Sequence, residues 1–515
     1  MSAEEVRESE QSADTARLTS KRTLSRNMVL NLLGMGLPTL LALAAIPLLI
    51  HLMGEQRFGV LLLAWLVFGY FSIFDLGLNR ALTQLVSRAL GEGRSQDVAP
   101  LFWTALLLMF VAGTVGGLVV GLLARPLVYE WLRVPEGLQN ETYWAFMVMA
   151  GSLPMLVSAS ALQGFLQAHQ RFGMVFIVQM WRGVWTFAGP LLVVGLFTTN
   201  LTVVVLGLLL GRIVAWVLSM ELCRRAQPSL TRRIWASAPF IRPLLTYGGW
   251  MALGSAVVPI VLYGDRMLIG VLLSMEAVTY YTTPAEIVVK LLLVPQAVVT
   301  VLFPAFAATY RTDLEKTKRL FRLGLKLVYL SFFPIAVLGV ALAPEALRLW
   351  LGGSFEQRSS IVLQLLIIGV FLNGSGILLS ALVQAMGRPS ITAIVYCVEL
   401  PVFGVLMWLL TRQYGIEGTA AVWAMRQGVD ALVLLLFARA LLRDRFSMLA
   451  RQILMAVGAV LALGVVMSLD GLASRLVLGG GLVGVLAVVG WKAMFTESER
   501  GALKVLLNRR SAEGP

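Results

Sequence analysis

Residues 173–222 indicate the fold class most clearly, because they have the pattern of two membrane-spanning helices joined by a short turn. Residues 173–197 are GMVFIVQMWRGVWTFAGPLLVVGLF, and residues 201–222 are LTVVVLGLLLGRIVAWVLSMEL. A helix of about 20 apolar residues is long enough to cross the hydrocarbon core of a bilayer. The polar residues Thr198, Thr199 and Asn200 lie between the two runs and predict the turn.

Each of these two predicted helices has one arginine near its middle, Arg182 in the first and Arg212 in the second. Because a helix rises about 1.5 Å per residue, each guanidinium group starts near the bilayer midplane, too deep to reach an interface. An arginine there costs about 2.5–3.5 kcal/mol on insertion scales, so it must face protein or a water-filled cavity. Neither arginine has an acidic residue three or four positions away. We predict a cationic cavity that binds an anion; the alternative is a cross-helix ion pair with an acid such as Glu399.

The composition places the whole chain among helical membrane proteins, since 58% of it is hydrophobic and only 14% is charged. A formal net charge of +14 would suggest nucleic acid in a soluble protein, but membrane topology explains it here. We therefore expect no nucleic-acid partner. The two cysteines predict no disulfide framework, and the two histidines cannot form a metal-ligand cluster, so we expect no metal and no cofactor.

The apolar runs predict about fourteen membrane spans. Lysine and arginine cluster in every second connection, and the positive-inside rule then places both termini on the cytoplasmic side. Because most of the 42 basic residues follow this alternation, the topology is well specified. The predicted spans are residues 27–52, 58–87, 99–123, 143–166, 173–197, 200–222, 243–271, 278–308, 320–343, 360–386, 389–411, 416–438, 450–470 and 472–493.

A basic, proline-containing segment over residues 223–242 divides the spans into two lobes with weak internal similarity. QAHQRFGMVFIVQM at 167–180 resembles QAMGRPSITAIVYC at 384–397, and the same alignment places Arg212 over Arg426. Two six-helix halves in one orientation predict a pseudo-two-fold axis along the membrane normal and a substrate cavity between the halves. The predicted organisation is a disordered cytoplasmic tail (1–26), an N-lobe (27–222), a linker (223–242), a C-lobe (243–442), two extra helices (443–494) and a cytoplasmic tail (495–515).

Ionisable residues deep in the predicted spans are the candidates for binding and coupling. Glu286 and Lys290 are four residues apart with the acid first, which is the favourable order for an ion pair within one helix. Arg426 and Asp430 have the same spacing in the opposite order. For each pair, a structural ion pair and a functional site both fit the spacing.

Four more charged residues lie nearer to the membrane surfaces. Asp75 and Arg80 lie toward the inner end of span 2, and Asp265 and Arg266 lie toward the outer end of span 7. Arg80 is within reach of the cytoplasmic surface, where it could also stand at a cavity entrance. Asp265 and Arg266 fit either an interfacial anchor or a gate.

The sequence contains no enzymatic signature, since it has no Walker A loop, no metal-binding cluster and no serine–histidine constellation. An enzyme such as a polysaccharide polymerase or an acyltransferase would need a large external loop or a catalytic His/Asp motif, and neither is present. We therefore predict a passive or ion-coupled transporter.

Two stretches resemble the bacterial polysaccharide flippases of the O-antigen type, in the superfamily that also contains lipid II flippases and multidrug and toxin extrusion proteins. The first is LMGEQRFGVLLL (52–63) with FSIFDLGLNRALTQLVS (71–87), which resembles the family's glycine-ended turn and its D-x-G signature. The second is YGDRMLIGVLLSMEAVTYYTTPAEIVVKL (263–291), which is similar to the family's Asp-containing seventh helix and tyrosine-bearing eighth. Span 1 here has no charge, unlike that of lipid II flippases.

The resemblance implies a two-lobe, all-α fold that moves undecaprenyl-pyrophosphate-linked oligosaccharide from the cytoplasmic to the periplasmic leaflet of the inner membrane by alternating access. It implies a cationic cavity, a lipid-linked oligosaccharide as substrate, a monomer in membrane lipid and a polysaccharide polymerase as a candidate partner. For the pyrophosphate we expect Arg182, Arg212, Lys290, Arg426 and Arg80. For ion coupling or gating we expect Asp75, Asp265, Arg266, Glu286, Glu399 and Asp430.

The alternative within the same fold is a cation-coupled multidrug exporter. Such a protein would favour an acidic or aromatic cavity for cationic drugs. The deepest charged residues of this chain are instead more basic than acidic, which favours an anionic substrate.

Overall fold

The computed structural model of the protein describes residues 21–70, 77–231, 236–310, 312–442 and 447–489. All regular structure in these ranges is helical, so the predicted all-α class is confirmed. Eight of the described helices are long and apolar enough to cross a membrane, and shorter apolar helices accompany them. The predicted tails are residues 1–26 and 495–515. Of these, residues 1–20 and 495–515 lie outside the described residues, as does Asp75, whereas residues 21–26 are helical.

The chain forms two compact units, Met1–Thr279 and Tyr280–Pro515. The division falls one helix beyond the predicted linker at 223–242, and the lobe boundaries stay predictions. The helices of the first unit are α1 (Lys21–Met53), α2 (Glu55–Tyr70), α3 (Leu78–Gly91), α4 (Ser95–Pro126, continued by a π-helical turn over Leu127–Trp131), α5 (Glu136–Ala168), α6 (Phe172–Leu196), α7 (Leu201–Ala226) and α8 (Ala238–Leu272).

Helix α9 (Met275–Val288) contains the division, and the second unit continues from it. A 3₁₀ turn over Val289–Leu292 follows α9 directly. The remaining helices are α10 (Leu293–Thr309), α11 (Leu314–Leu351), α12 (Gly353–Ala385), α13 (Pro389–Leu442), α14 (Ser447–Met467) and α15 (Leu472–Val489).

Three connections show why the helices end where they do. Asn200 precedes α7, and its side-chain oxygen accepts hydrogen bonds from the backbone N–H groups of Thr202 (3.0 Å) and Val203 (3.4 Å). Such a cap satisfies donors that have no partner inside the helix, and it confirms the predicted turn. Gly352 separates α11 from α12 with φ +94°, and Gly415 breaks α13 with φ +61°, a region that favours glycine.

The break at Gly415 makes α13 two helices that fold back on each other. The hydroxyls of Thr411 and Thr419, on either side of the break, are 2.8 Å apart. Gly418 is so close to the first half that an added Cβ would lie 2.2 Å from the carbonyl oxygen of Leu410. The two halves correspond to the separately predicted spans 389–411 and 416–438.

Small residues let the helices of the first unit approach closely. An added Cβ at Gly117 of α4 would lie 2.4 Å from the carbonyl oxygen of Ala150 on α5. At Gly183 of α6, it would lie 2.7 Å from Cγ of Pro38 on α1. Membrane helices commonly use glycine in this way, because lipid gives them little hydrophobic drive to associate. The contact at Gly183 packs α6 closely against α1.

Candidate anion-binding site

Two tryptophans fix the position of α6 against α7. The indole N–H groups of Trp181 and Trp185 donate hydrogen bonds to the backbone carbonyls of Gly211 and Gly207, each at 2.9 Å. The two rings stack, with centroids 5.3 Å apart and an interplanar angle of 16°. Because Gly207 and Gly211 have no side chains, the rings lie directly on the backbone of α7. The α6–α7 pair is therefore held in one register.

This register brings Arg182 and Arg212 to one threonine, and we call Arg182, Thr186 and Arg212 the arginine pair site. Nη2 of Arg212 donates to Oγ1 of Thr186 at 3.3 Å. The same hydroxyl donates to the backbone carbonyl of Arg182 at 2.7 Å. Both arginines are half-buried, and their positive charges interact unfavourably. An anion between them would relieve that repulsion.

Arg182 has no carboxylate within ion-pair distance in the described part of the chain. The alternative, an ion pair of Arg182 or Arg212 with Glu399 or another acid, stays a prediction. Within the second unit, the carboxylate of Glu399 pairs with Arg426.

In the second unit, Nη1 of Arg426 lies 3.3 Å from Oε2 of Glu399, and both side chains are about 5% exposed. The predicted pair of Arg426 with Asp430 does not form within ion-pair distance, although Asp430 is close enough to act on the charge of Glu399. A basic residue four positions before an acid is the weaker order in a helix. The fold-back at Gly415 supplies a better-placed carboxylate from the facing half of α13.

The predicted ion pair of Glu286 with Lys290 is also absent from the described residues. Helix α9 ends at Val288, and Lys290 lies in the 3₁₀ turn that follows. That turn has 3.0 residues per turn instead of 3.6, so residues four apart no longer face each other. Lys290 is exposed.

The remaining predicted residues lie at separate places. Arg80 is exposed on α3. Asp265 and Arg266 are buried near the end of α8, at 7% and 6% exposure, and Oδ1 of Asp265 accepts the backbone N–H of Arg266 at 2.8 Å. An interfacial anchor would extend its charged group to the membrane surface, so the burial of Asp265 and Arg266 favours the predicted gate over the predicted anchor.

Sequence reasoning missed Thr186 and the two glycines of α7, and signals for both were present. Thr186 follows Arg182 by four residues, which places it on the same helix face. Gly207 and Gly211 form a G-x-x-x-G pattern, which marks a close helix–helix contact in membranes.

A comparison with protein families assigns the chain. The model of the family described as "Polysaccharide biosynthesis protein" matches residues 24–310, which is more than half of the chain and includes the arginine pair site. The chain belongs to the polysaccharide biosynthesis protein family. This membership confirms the predicted resemblance to polysaccharide flippases. It also confirms the prediction of a membrane transport protein of polysaccharide biosynthesis.

A relative of this polysaccharide biosynthesis protein is a candidate O-antigen transporter of Shigella flexneri, 26% identical over 412 residues. That similarity covers 80% of this chain and 97% of the relative, so the two are similar over nearly the whole Shigella protein. The match extends through both units of the chain, whereas the family model ends at residue 310.

Solved structures show the same fold. The lipid II flippase MurJ, in an inward closed conformation, has a TM-score of 0.69 at 12% identity, with 90% of this chain and 99% of MurJ covered. An inward-facing multidrug resistance transporter of the MATE family has a TM-score of 0.66 at 14% identity, with 82% and 99% covered. At these identities the likeness establishes the fold alone, and it confirms the predicted multi-span, all-α fold.

Proposed function

We propose that this polysaccharide biosynthesis protein flips undecaprenyl-pyrophosphate-linked oligosaccharide from the cytoplasmic to the periplasmic leaflet of the bacterial inner membrane by alternating access. The family membership and the Shigella relative support a role in polysaccharide transport. The arginine pair site is the single observation that carries the choice of an anionic, lipid-linked substrate.

The chemistry of the site fits a pyrophosphate. Guanidinium groups bind phosphate oxygens through two parallel N–H donors and stay charged at any working pH. Arg182 and Arg212 lie on adjacent helices and share Thr186, so one anion could accept hydrogen bonds from both. The charges of Arg182 and Arg212 repel each other, and no acid among the described residues is bound to Arg182. An anion between the two groups would stabilise this arrangement.

The other basic candidates take secondary roles in the proposal. Arg426 has its charge balanced by Glu399, so it binds an anion only if that pair opens. Lys290 and Arg80 are exposed and offer further contacts along the path of the head group. The candidates for coupling or gating remain Asp75, Asp265, Arg266, Glu286, Glu399 and Asp430. A polysaccharide polymerase remains the candidate partner, and we propose that the flippase itself is a monomer.

The test is the exposure of lipid-linked oligosaccharide at the periplasmic face of a strain that lacks the gene and is complemented with variants. Arg182→Ala and Arg212→Ala should each lower exposure about 10- to 100-fold. A hydrogen bond to a charged group contributes about 1.5–3 kcal/mol, and each 1.4 kcal/mol corresponds to a factor of ten. Arg182→Lys should keep part of the activity, because it retains the charge and loses the bidentate geometry.

The matched control is Arg225→Ala, at the exposed end of α7, where the arginine pairs with Glu221 at 2.9 Å. This variant should transport like the wild type at equal protein level. Equal activity of all the alanine variants would assign Arg182 and Arg212 a structural role. If the wild type restores no exposure and instead confers drug resistance, the protein is a multidrug exporter and the proposal is wrong.

A further inference from the structure

The fold-back of α13 buries a cluster of three charged residues inside the second unit, and we call Glu399, Arg426 and Asp430 the carboxylate cluster. Glu399 comes from the first half of the helix, and Arg426 and Asp430 come from the second. Each of the three side chains is 5% exposed. All three lie near the middle of the predicted spans 389–411 and 416–438, far from both ends.

The charges of the cluster do not balance. When all three groups are ionised, two carboxylates face one guanidinium group, and the net charge is one negative unit. Oε2 of Glu399 is bound by Arg426, but Oε1 of Glu399 and Oδ1 of Asp430 are buried without a hydrogen-bond partner. The two carboxylates also repel each other. A buried, uncompensated charge is strongly destabilising, so the cluster needs one more positive charge.

The surrounding helices do not supply that charge. Helices α12 and α14 pack against α13. An added Cβ at Gly376 of α12 would lie 3.5 Å from Oδ2 of Asp430 and 3.8 Å from Oδ1 of Asn373, so α12 presents a backbone and a neutral amide. The phenol of Tyr396 lies close enough to the cluster for the charges of all three members to act on it. Among the described residues, no cationic group besides Arg426 acts on either carboxylate.

We infer that Glu399 and Asp430 share one exchangeable proton beside Arg426, and that its uptake and release couple transport to the proton gradient. The proton supplies the missing charge, and it gives the cluster the O–H donor that its free carboxylate oxygens lack. Its binding converts one carboxylate to a carboxylic acid and is reversed by loss of that proton to water. A divalent metal ion is disfavoured, because the cluster has only two carboxylates and one of them is already bound to the guanidinium of Arg426.

The proton itself is tested by infrared difference spectroscopy on the purified full-length protein between acidic and alkaline buffers. The wild type should show the carbonyl band of a buried carboxylic acid, which disappears in alkaline buffer. Glu399→Gln and Asp430→Asn should each remove this band, because the remaining carboxylate is then balanced by Arg426. Asp430→Glu should retain a titrating band. Glu345→Gln, whose carboxylate pairs with Arg475 at 3.0 Å, is the matched control and should leave the band unchanged.

The coupling step rests on the proposed flippase function and is tested separately. Collapse of the proton gradient should lower oligosaccharide exposure by the wild type at least severalfold, whereas Glu399→Gln and Asp430→Asn should lose this sensitivity. The inference is overturned if neither substitution changes the infrared band, or if the band responds to Na⁺ or K⁺ and not to pH. A wild type that moves no oligosaccharide yet keeps the titrating band would contradict the flippase and support the proton site.

Discussion

At the scale of single residues, Gly211 determines how closely α6 and α7 approach. An added Cβ there would lie 1.8 Å from Cδ1 of Trp185, so Gly211→Ala forces the indole ring to move. The move would break the hydrogen bond of Trp185 to Gly207 and the stack on Trp181. Overpacking costs about 1–3 kcal/mol, and we expect a lower thermal unfolding midpoint together with reduced transport.

Gly195→Ala on α6 is the matched control, because an added Cβ there meets no atom within 4 Å. Alanine is favoured over glycine inside a helix by about 0.5–1 kcal/mol, so this variant should unfold at the same or a slightly higher temperature. Equal midpoints for the two alanine variants would show that the α6–α7 contact adapts and that the tryptophans do not fix it.

The residue scale also shows what local sequence could and could not predict at the site. The depth of Arg182 and Arg212 follows from counting residues along an apolar helix, and no tertiary information is needed. The partner of Arg426 does not follow, because spacing along one helix favours Asp430 and the fold-back at Gly415 brings in Glu399 instead. A contact between segments that are far apart in sequence has no signature in either segment alone.

At the scale of elements, the last helix is held by an ion pair. Nη2 of Arg475 on α15 lies 3.0 Å from Oε1 of Glu345 on α11, and Nη1 donates to Oε2 at 3.3 Å and to the carbonyl of Ala341 at 3.0 Å. Arg475→Ala removes these bonds, and hydrogen bonds to charged groups contribute about 1.5–3 kcal/mol. We expect a lower unfolding midpoint and faster proteolysis after α14.

The control for this element is Arg348→Ala, in the same end of α11. Arg348 is 72% exposed and lies 3.8 Å from Glu356, and exposed pairs contribute about 0–1 kcal/mol. Its removal should leave the midpoint and the protease pattern unchanged. If Arg475→Ala behaves in the same way, packing of apolar side chains alone holds α15 against α11.

The elements themselves were largely predictable, and the exceptions have physical causes. Apolar length gave the positions of the spans, and polar or glycine residues such as Asn200 and Gly415 marked their ends. The sequence does not predict the 3₁₀ turn at Val289–Leu292, because three of its four residues are apolar and the apolar run continues through it. Hydropathy measures the preference for lipid and carries no information about the local hydrogen-bond register.

At the scale of the whole molecule, the distribution of basic residues predicts the orientation in the membrane. Lys316, Lys318 and Arg319 lie at the start of α11, whereas the connections at 197–200 and 468–471 contain no lysine or arginine. Positively charged residues near the ends of spans are retained on the cytoplasmic side. Alkaline phosphatase, which is active only outside the cytoplasm, should therefore be active when fused after Asn200 or Asp470.

The same enzyme should be inactive when fused after Thr312 or Gly387, where a fluorescent protein that folds only in the cytoplasm should fluoresce. An odd number of spans between Asn200 and Thr312 is required for this alternation, and the predicted spans 200–222, 243–271 and 278–308 supply it. Active phosphatase after Thr312 would mean that a predicted span in this region does not cross the membrane. Inverted results at all four positions would place the basic connections outside, and the proposed direction of flipping would then be wrong.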